Sequence, residues 1–366
     1  MECSRESQLT DSKAYLLEFN KKVARQRVPV AGNIELTKHC NLNCTHCYLG
    51  DKPAAPGKPP QELDTVRWKE IIDEITTAGC LYLLITGGEP LLRKDFKEIY
   101  SHAKHNGLLV TVFTNGTLVN EEILDLFTEL PPRAVEISLY GATAGTYERI
   151  TGVKGSFEKC LNGIRGLKER QVKLRVKTML MTLNKHEFSD IEKMAREWDA
   201  PFRFDAALFP TLQGEQYPLD MRIDAREAVE IEFSDVDRAR QWRDFYERMA
   251  DLPYTDKLYS CGAAVTHFHI DARGVLQPCL MVTHLEYNLN SGSFLTGWNE
   301  VLPRLRQRKA KEGNICNTCK KRTLCGFCPG FFYLEKGAEE VRSEYLCAMG
   351  QERFEKINEL NHITES

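Results

Sequence analysis

The sequence predicts an α/β protein, a partial (β/α)6 TIM-type barrel followed by a C-terminal cysteine-rich domain. Three observations lead there. Strand-like apolar runs alternate with helical patterns through residues 31–208, and parallel strands need the long crossovers that helices supply. The notable loops all fall at the C-terminal ends of those strands, where barrels of this kind carry their sites. After about residue 210 the alternation stops, and seven cysteines follow from Cys261 to Cys347.

Taken in order, residues 1–30 are a lead-in with a helix around Ala14 to Arg25. The first strand runs near Gly32 to Leu36, and a Pro/Gly-rich loop occupies Lys52 to Pro60. A helix with apolar Trp68, Ile71, Ile72 and Ile75 on one face leads to the second strand, Leu81 to Thr86. Asp95 to His105 reads as a helix, and Leu108 to Phe113 as a strand ending at Asn115-Gly116. Glu121 to Phe127 is helical, Ala134 to Leu139 a strand, and Ser156 to Glu169 a helix. Val172 to Leu183 is a strand, Asp190 to Trp198 a helix, and Phe202 to Leu208 the sixth strand. The expected layout is a lead-in at 1–30, the barrel at 31–208, and a bridging helical segment at 209–255. A cysteine-rich domain at 256–350 and a C-terminal helix or tail at 351–366 complete it.

Composition narrows the function classes. With 366 residues, 42% of them hydrophobic, the chain can bury a sizeable core. A net charge of −3, from 49 basic and 52 acidic residues, gives no footprint for nucleic acid or an anionic membrane surface. The basic run Arg304, Arg306, Arg308, Lys309 and Lys311 reads as a solvated helix face. No apolar run approaches the roughly 20 residues of a membrane span, and the polar stretch Met1 to Ser12 is no signal peptide. A cytoplasmic location follows as the expectation. In a reducing compartment, clustered cysteines point to metal or redox chemistry more than to disulfides.

The first cluster is Cys40-Asn-Leu-Asn-Cys44-Thr-His-Cys47, just after a strand. One loop with three thiols can hold three irons of a cubane and leave the fourth iron without a protein ligand. The alternative is a zinc site completed by His39 or His46. By its spacing the motif resembles the signature of the radical S-adenosylmethionine (SAM) superfamily. The resemblance covers residues 31 to about 208 and implies that Cys40, Cys44 and Cys47 hold a catalytic [4Fe–4S] cluster. It further implies that His46 lies near the adenine, with Tyr48 beside it. The loop Gly87-Gly88-Glu89-Pro90 matches the methionine-binding motif, its backbone and Glu89 holding the SAM amino group. Ser138 matches the ribose-contacting position, although Tyr140 stands where many relatives have Asp. Thr114, Asn115 and Lys177 sit at strand ends and are further candidates to face the cofactor, or structural residues there. The chemistry implied is one-electron cleavage of SAM to a 5′-deoxyadenosyl radical, which abstracts hydrogen from the substrate.

Farther on, Cys261 is followed by twelve residues, Gly274, four residues and Cys279; Cys316-x2-Cys319-x5-Cys325-x2-Cys328 and Cys347 complete the set. This resembles the SPASM extension of peptide-modifying radical SAM enzymes, except that its last internal gap is two residues instead of three. The resemblance implies two auxiliary [4Fe–4S] clusters, one on Cys261, Cys279 and Cys328 and one on Cys316, Cys319, Cys325 and Cys347. Two cubanes need eight ligands and there are seven cysteines. Either Asp271, His267 or His269 completes the set, or one iron is open to substrate. Two structural zinc knots are the alternative. Cys80 and Cys160 read as small buried apolar residues, and Cys3 is left over.

The expected substrate is a ribosomally made peptide that receives a thioether or carbon–carbon crosslink. It would be gripped by a separate leader-binding protein, by the barrel mouth, or not through a leader at all, and a reductant such as flavodoxin or ferredoxin would supply electrons. A small-molecule, tetrapyrrole-type reaction is the alternative. A sulfatase-maturase-like activity is disfavoured by Leu280, since those relatives place an Asp directly after the cysteine matching Cys279. A non-enzymatic zinc or iron–sulfur scaffold stands last. Tyr217, Trp242 and Phe245 in the bridging segment are candidates for substrate contact or helix core.

Overall fold

The structure, a computed structural model, describes residues 12–50, 61–249 and 255–364. The loop expected at Lys52 to Pro60 and the leftover Cys3 lie outside the described residues. A lead-in helix, α1 (Ser12–Gln26), precedes β1 (Ala31–Glu35). There follow α2 (Thr65–Thr77), β2 (Tyr82–Thr86), α3 (Phe96–His105), β3 (Leu109–Thr114), α4 (Glu121–Glu129) and β4 (Ala134–Ser138). Two helices, α5 (Ala144–Thr151) and α6 (Ser156–Glu169), lead to β5 (Leu174–Met179), and α7 (Phe188–Glu197) leads to β6 (Phe202–Asp205). The six strands pair in parallel in sequence order, the α/β arrangement expected.

One face of the sheet is apolar. Ile34, Leu83, Ile85, Val110, Val112, Val135, Ile137 and Val176 pack with Trp68, Ile71, Ile72 and Ile75 of α2 and with the other covering helices. Side chains alternate along a strand, so the opposite face carries the residues in between. Register aligns them across neighbours: Glu35 with Thr86, Phe113 with Glu136, Ser138 with Lys177, and Lys177 with Arg203. That inner face is polar and converges at the strand C-termini.

Four local features depart from the sequence reading. The helix α5 was not expected; Thr143 caps it by accepting from the Thr146 N–H, and Gly152 ends it at φ +69. The strand expected over Val172 to Leu183 stops at Met179, because the Asn184 amide turns back to the Met179 and Tyr140 carbonyls. The sixth strand is likewise shorter, ending at Asp205. The C-terminal helix expected from residue 351 begins at Glu344.

After α8 (Ala225–Phe233) and α9 (Val236–Met249), the chain returns to the same sheet. β7 (His267–Ile270) pairs in parallel with β1, and β8 (Val275–Gln277) and β9 (Tyr287–Asn288) extend it antiparallel. The strand order is β6-β5-β4-β3-β2-β1-β7-β8-β9, which leaves β6 at one edge with no further strand paired to it among the described residues. Two helices close the described chain, α10 (Pro329–Lys336) and α11 (Glu344–Thr364). The buried Arg353 of α11 donates to both carboxylate oxygens of Glu232 in α8 at 2.7 and 2.6 Å and to the Leu324 carbonyl at 2.6 Å, clamping helix to helix. Among the described residues no helix is long and apolar enough to cross a membrane.

Candidate active site

The loop after β1 is zipped to the loop after β2. The Gly88 N–H donates to the Thr37 carbonyl at 2.7 Å and the Glu89 N–H to the His39 carbonyl at 2.8 Å. Both glycines are required by this approach. A Cβ on Gly87, whose φ is +137, would lie 2.3 Å from the Thr37 oxygen, and one on Gly88 2.2 Å from the His39 oxygen. Cys40 is therefore held at a fixed place beside Gly87, Gly88, Glu89 and Pro90.

Glu89 is fully buried, and its carboxylate is bonded within the protein. One oxygen accepts from the Thr114 hydroxyl at 2.8 Å and the Leu91 N–H at 3.1 Å; the other accepts from the Asn115 N–H at 2.8 Å. Burial pushes the carboxyl up to about 7, against these three donors. Glu89 thus ties the β2 loop to the β3 loop. The Asn115 amide continues the tie to the cysteines, donating to Asn41 at 2.9 Å and reaching the Cys40 sulfur at 3.8 Å. Thr117 closes the ring through the Asn115 oxygen at 2.6 Å and the Asn41 amide at 2.7 Å. Donors aimed at a thiolate are what tunes an iron–sulfur centre.

His46 is buried and meets the Tyr140 ring edge-on at 4.6 Å. Burial pushes its imidazole down to about 4, so it is neutral at pH 7. Ser138 ends β4, two residues before Tyr140. Tyr48 stacks obliquely on Phe209 at 5.6 Å, and its carbonyl accepts from the Leu212 N–H at 2.8 Å. The Tyr217 hydroxyl donates to the Cys47 carbonyl at 3.1 Å. The underside of the loop is anchored by main-chain bonds to α5, Asn43 N–H to the Thr151 carbonyl at 2.8 Å and Thr45 N–H to the Ile150 carbonyl at 3.0 Å.

On the inner face, the Lys177 ammonium lies 3.2 Å from the Phe113 ring centre and 3.6 Å from Glu136. Burial pushes it down to about 7, offset in part by Glu136 and reinforced by Arg203. Arg203 also binds Glu136, its Nε at 3.0 Å. Lys177 is thus joined to the carboxylate and aromatic wall of the barrel.

Beside β7 sits a buried acid–imidazole pair that the motifs did not flag. The His269 Nε2 is 3.8 Å from Glu35, and among the described residues neither Glu35 oxygen nor the His269 Nδ1 has a hydrogen-bond partner. Burial raises the Glu35 carboxyl from 4.5 to about 7, with Lys38 opposing and Asp271 adding to it, and lowers the imidazole to about 3. Because the folded state holds this proton more tightly, its stabilisation is complete below about pH 4.5 and is lost as pH rises through 7. At 1.36 kcal/mol per pH unit that difference is worth roughly 3 kcal/mol. Glu35→Gln is therefore expected to match the parent near pH 5 and exceed its stability at pH 8. Thermal melts at the two pH values check this, and an equal gap at both contradicts it.

The distal cysteines fall into two neighbourhoods. Burial and the nearby Cys328 and Cys261 thiols push Cys279 up to about 12. Burial and the nearby Cys319, Cys316 and Cys347 thiols push Cys325 up to about 12 as well. Each neighbourhood thus gathers several thiols, although among the described residues no three metal-ligating side chains stand together as a ready metal site. Gly350 of α11 packs on Cys325 so closely that a Cβ would lie 2.5 Å from the Cys325 Cβ. No disulfide joins the twelve described cysteines, and Cys80 and Cys160 are buried. Of the residues weighed as an eighth ligand, Asp271 is bonded to Arg273 at 2.8 Å and His269 faces Glu35.

Several residues of the site carried no sequence signal of their own. Thr117, Glu136, Arg203 and Phe113 belong to no motif, Asn41 stands unmarked between Cys40 and Leu42, and Tyr217 reads in the sequence only as a substrate contact or helix core. Only the inward phase of Glu136 and Phe113 along their strands was open to inspection.

Residues 34–197 match the Radical SAM superfamily. The chain is 27% identical over 337 residues to an AdoMet-dependent heme synthase of Methanosarcina barkeri strain Fusaro, covering 83% of this chain and 92% of that protein. It is 26% identical over 357 residues to the antilisterial bacteriocin subtilosin biosynthesis protein AlbA of Bacillus subtilis strain 168, covering 91% of this chain and 74% of that protein. Streptococcus suis SuiB, in its crystal structure bound to precursor peptide SuiA, superposes with a TM-score of 0.69 over 95% of this chain and 83% of that one, at 17% identity. That last likeness is one of fold.

Proposed function

From the premise that this chain carries a radical SAM domain and is an enzyme with SPASM-type relatives, we propose that it modifies a ribosomally made peptide, forming a thioether or carbon–carbon crosslink. When bound, the cluster and SAM supply a 5′-deoxyadenosyl radical that removes a substrate hydrogen atom. The protein's own residues do the rest. Cys40, Cys44 and Cys47 would hold the catalytic cluster, with the Asn115 amide directed at the Cys40 sulfur. Gly87, Gly88, Glu89 and Pro90 would shape the methionine end of the SAM site, Glu89 by fixing the loop. Neutral His46 and Tyr48 would flank the adenine, and Ser138 and Lys177 would line the ribose and carboxylate side. Cys261, Cys279 and Cys328, and Cys316, Cys319, Cys325 and Cys347, would hold two auxiliary clusters. A flavodoxin or ferredoxin would supply electrons.

The observation that carries the peptide reading is the sheet edge at β6. Beside it lies a groove of about 480 Å³ lined by Phe202, Phe204, Trp242, Phe245 and Arg238. An unpaired edge offers main-chain donors and acceptors to an extended peptide, and the aromatic groove offers seats for its side chains. The match to AlbA and the fold shared with SuiB support it. Co-expression with a short open reading frame encoded beside the gene, followed by mass analysis, tests it. A crosslinked product supports the reading, and an unmodified peptide beside active SAM cleavage overturns it.

One observation favours a second reading, a tetrapyrrole substrate. The heme-synthase match spans nearly the whole of that relative, and Arg175, Lys177 and Arg203 share the inner face with Glu136. Cations there suit substrate carboxylates. Turnover of an iron tetrapyrrole bearing carboxylate side chains by the reconstituted protein would establish it.

A further inference from the structure

The segment 206–222, between β6 and α8, crosses the catalytic cysteine loop as a strap. It touches that loop at three points: Leu212 N–H on the Tyr48 carbonyl at 2.8 Å, Tyr217 hydroxyl on the Cys47 carbonyl at 3.1 Å, and the Phe209 ring on Tyr48 at 5.6 Å. The fit is close. A Cβ on Gly50, whose φ is +76, would lie 2.6 Å from the Gln213 side chain.

The other side of the strap is held by the C-terminal helices. Phe209 meets Phe331 of α10 at 6.1 Å, and Ala207 and Phe209 pack into one cluster with Phe331, Phe332, Leu346, Met281 and Cys328. Arg222 donates to the Leu208 carbonyl at 2.9 and 2.6 Å and to Glu335 of α10 at 2.7 Å. The Tyr345 hydroxyl of α11 donates to the Ala206 carbonyl at 3.2 Å. Cys328 is the N-cap of α10, its sulfur accepting from the Phe331 N–H at 3.4 Å. Whatever fixes the Cys328 sulfur therefore fixes the first turn of α10, and with it the ring on which Phe209 rests.

We propose that the contact chain Tyr48–Phe209–Phe331 couples the distal cysteine group containing Cys328 to the catalytic cysteine loop, making Phe209 a positioning residue for SAM binding. Occupation of the distal group then orders the strap, and the strap sets the carbonyls of Cys47 and Tyr48. This rests on the reading that both cysteine sets hold iron–sulfur clusters.

A double-mutant cycle tests the coupling in full-length, anaerobically reconstituted protein. The readouts are the SAM dissociation constant and the EPR spectrum of the reduced catalytic cluster with SAM added. Cys328→Ala is expected to weaken SAM binding about fivefold or more, the lower range of inter-site coupling, and to broaden the SAM-bound spectrum. In a Phe209→Ala background the same substitution is expected to have no further effect, while Phe209→Tyr keeps the coupling. Effects that multiply in the double variant, or a Cys328→Ala protein with unchanged SAM affinity, overturn the proposal. If Phe209→Ala does not fold, Phe331→Leu replaces it in the same cycle, where a further loss with Cys328→Ala again overturns the coupling and no further loss supports it. A parent protein that binds no iron, or never cleaves SAM, instead sinks the enzyme reading itself. A parent that does both, with multiplicative variants, sinks only the coupling.

Discussion

Replacing Cys44 with alanine is expected to reduce 5′-deoxyadenosine formation to background, a loss of at least a hundredfold, while leaving the fold intact. Even outer partners of a metal ligand are worth about 10–100-fold, and on the proposed reading this substitution removes one of the cluster's three thiolate ligands. The fold is expected to survive because main-chain bonds hold the loop. Asn43 and Thr45 donate to the Thr151 and Ile150 carbonyls of α5, and the Cys44 carbonyl accepts from the Cys47 N–H at 3.2 Å whatever the side chain. The partly exposed Cys44 thiol contributes little apolar packing. Iron analysis, circular dichroism and product quantification on one sample check the three parts together. Retained SAM cleavage would remove Cys44 from the site.

Glu89→Ala is expected to cost stability and SAM affinity together. The substitution leaves the Thr114 hydroxyl and the Leu91 and Asn115 N–H groups without their acceptor in a buried place. Each orphaned donor costs about 1–3 kcal/mol, so the sum is about 3 kcal/mol or more. The loop after β2 then loses its tie to the loop after β3, and the Asn115 amide loses its aim at Cys40. SAM affinity is expected to fall at least tenfold. Glu89→Gln offers no rescue, since its NH2 would face at least one of the same donors. Denaturant unfolding with SAM-binding measurements on both variants checks this, and an alanine variant with unchanged stability would contradict it.

Much of the barrel was legible because its strands bury one face against helices. Leu83 and Ile85, or Val110 and Val112, give period-two signals between helical patterns. Helix α5 escaped because its eight residues, Ala144–Thr151, mix Gly, Thr and Arg with few apolar positions. The return of the C-terminal hairpin to β1 was illegible for another reason. Pairing of His269 with Asn33 is a long-range choice of the folded sheet, and a four-residue strand carries no mark of its partner. The cysteine spacing pointed to the loop because one turn of chain must present several thiols, and the superfamily match spans that loop. Thr117, Phe209 and Tyr217, which set the loop's posture, act from other elements, and Asn41 acts from within the loop through Thr117 and Asn115. Glu89 lay between these cases: its loop was flagged, yet its carboxylate ties two loops together within the protein. Glu35 had a readable phase, one acid at the end of an apolar strand, but its neighbour His269 became visible only in the sheet.

The most direct test of the account is anaerobic reconstitution of the full chain with iron and sulfide, followed by dithionite and SAM, with 5′-deoxyadenosine and methionine quantified together. The account predicts an iron–sulfur protein that forms both products, dependent on Cys40, Cys44 and Cys47. A protein that takes up zinc and no iron, or an iron-loaded protein that leaves SAM intact, would contradict it.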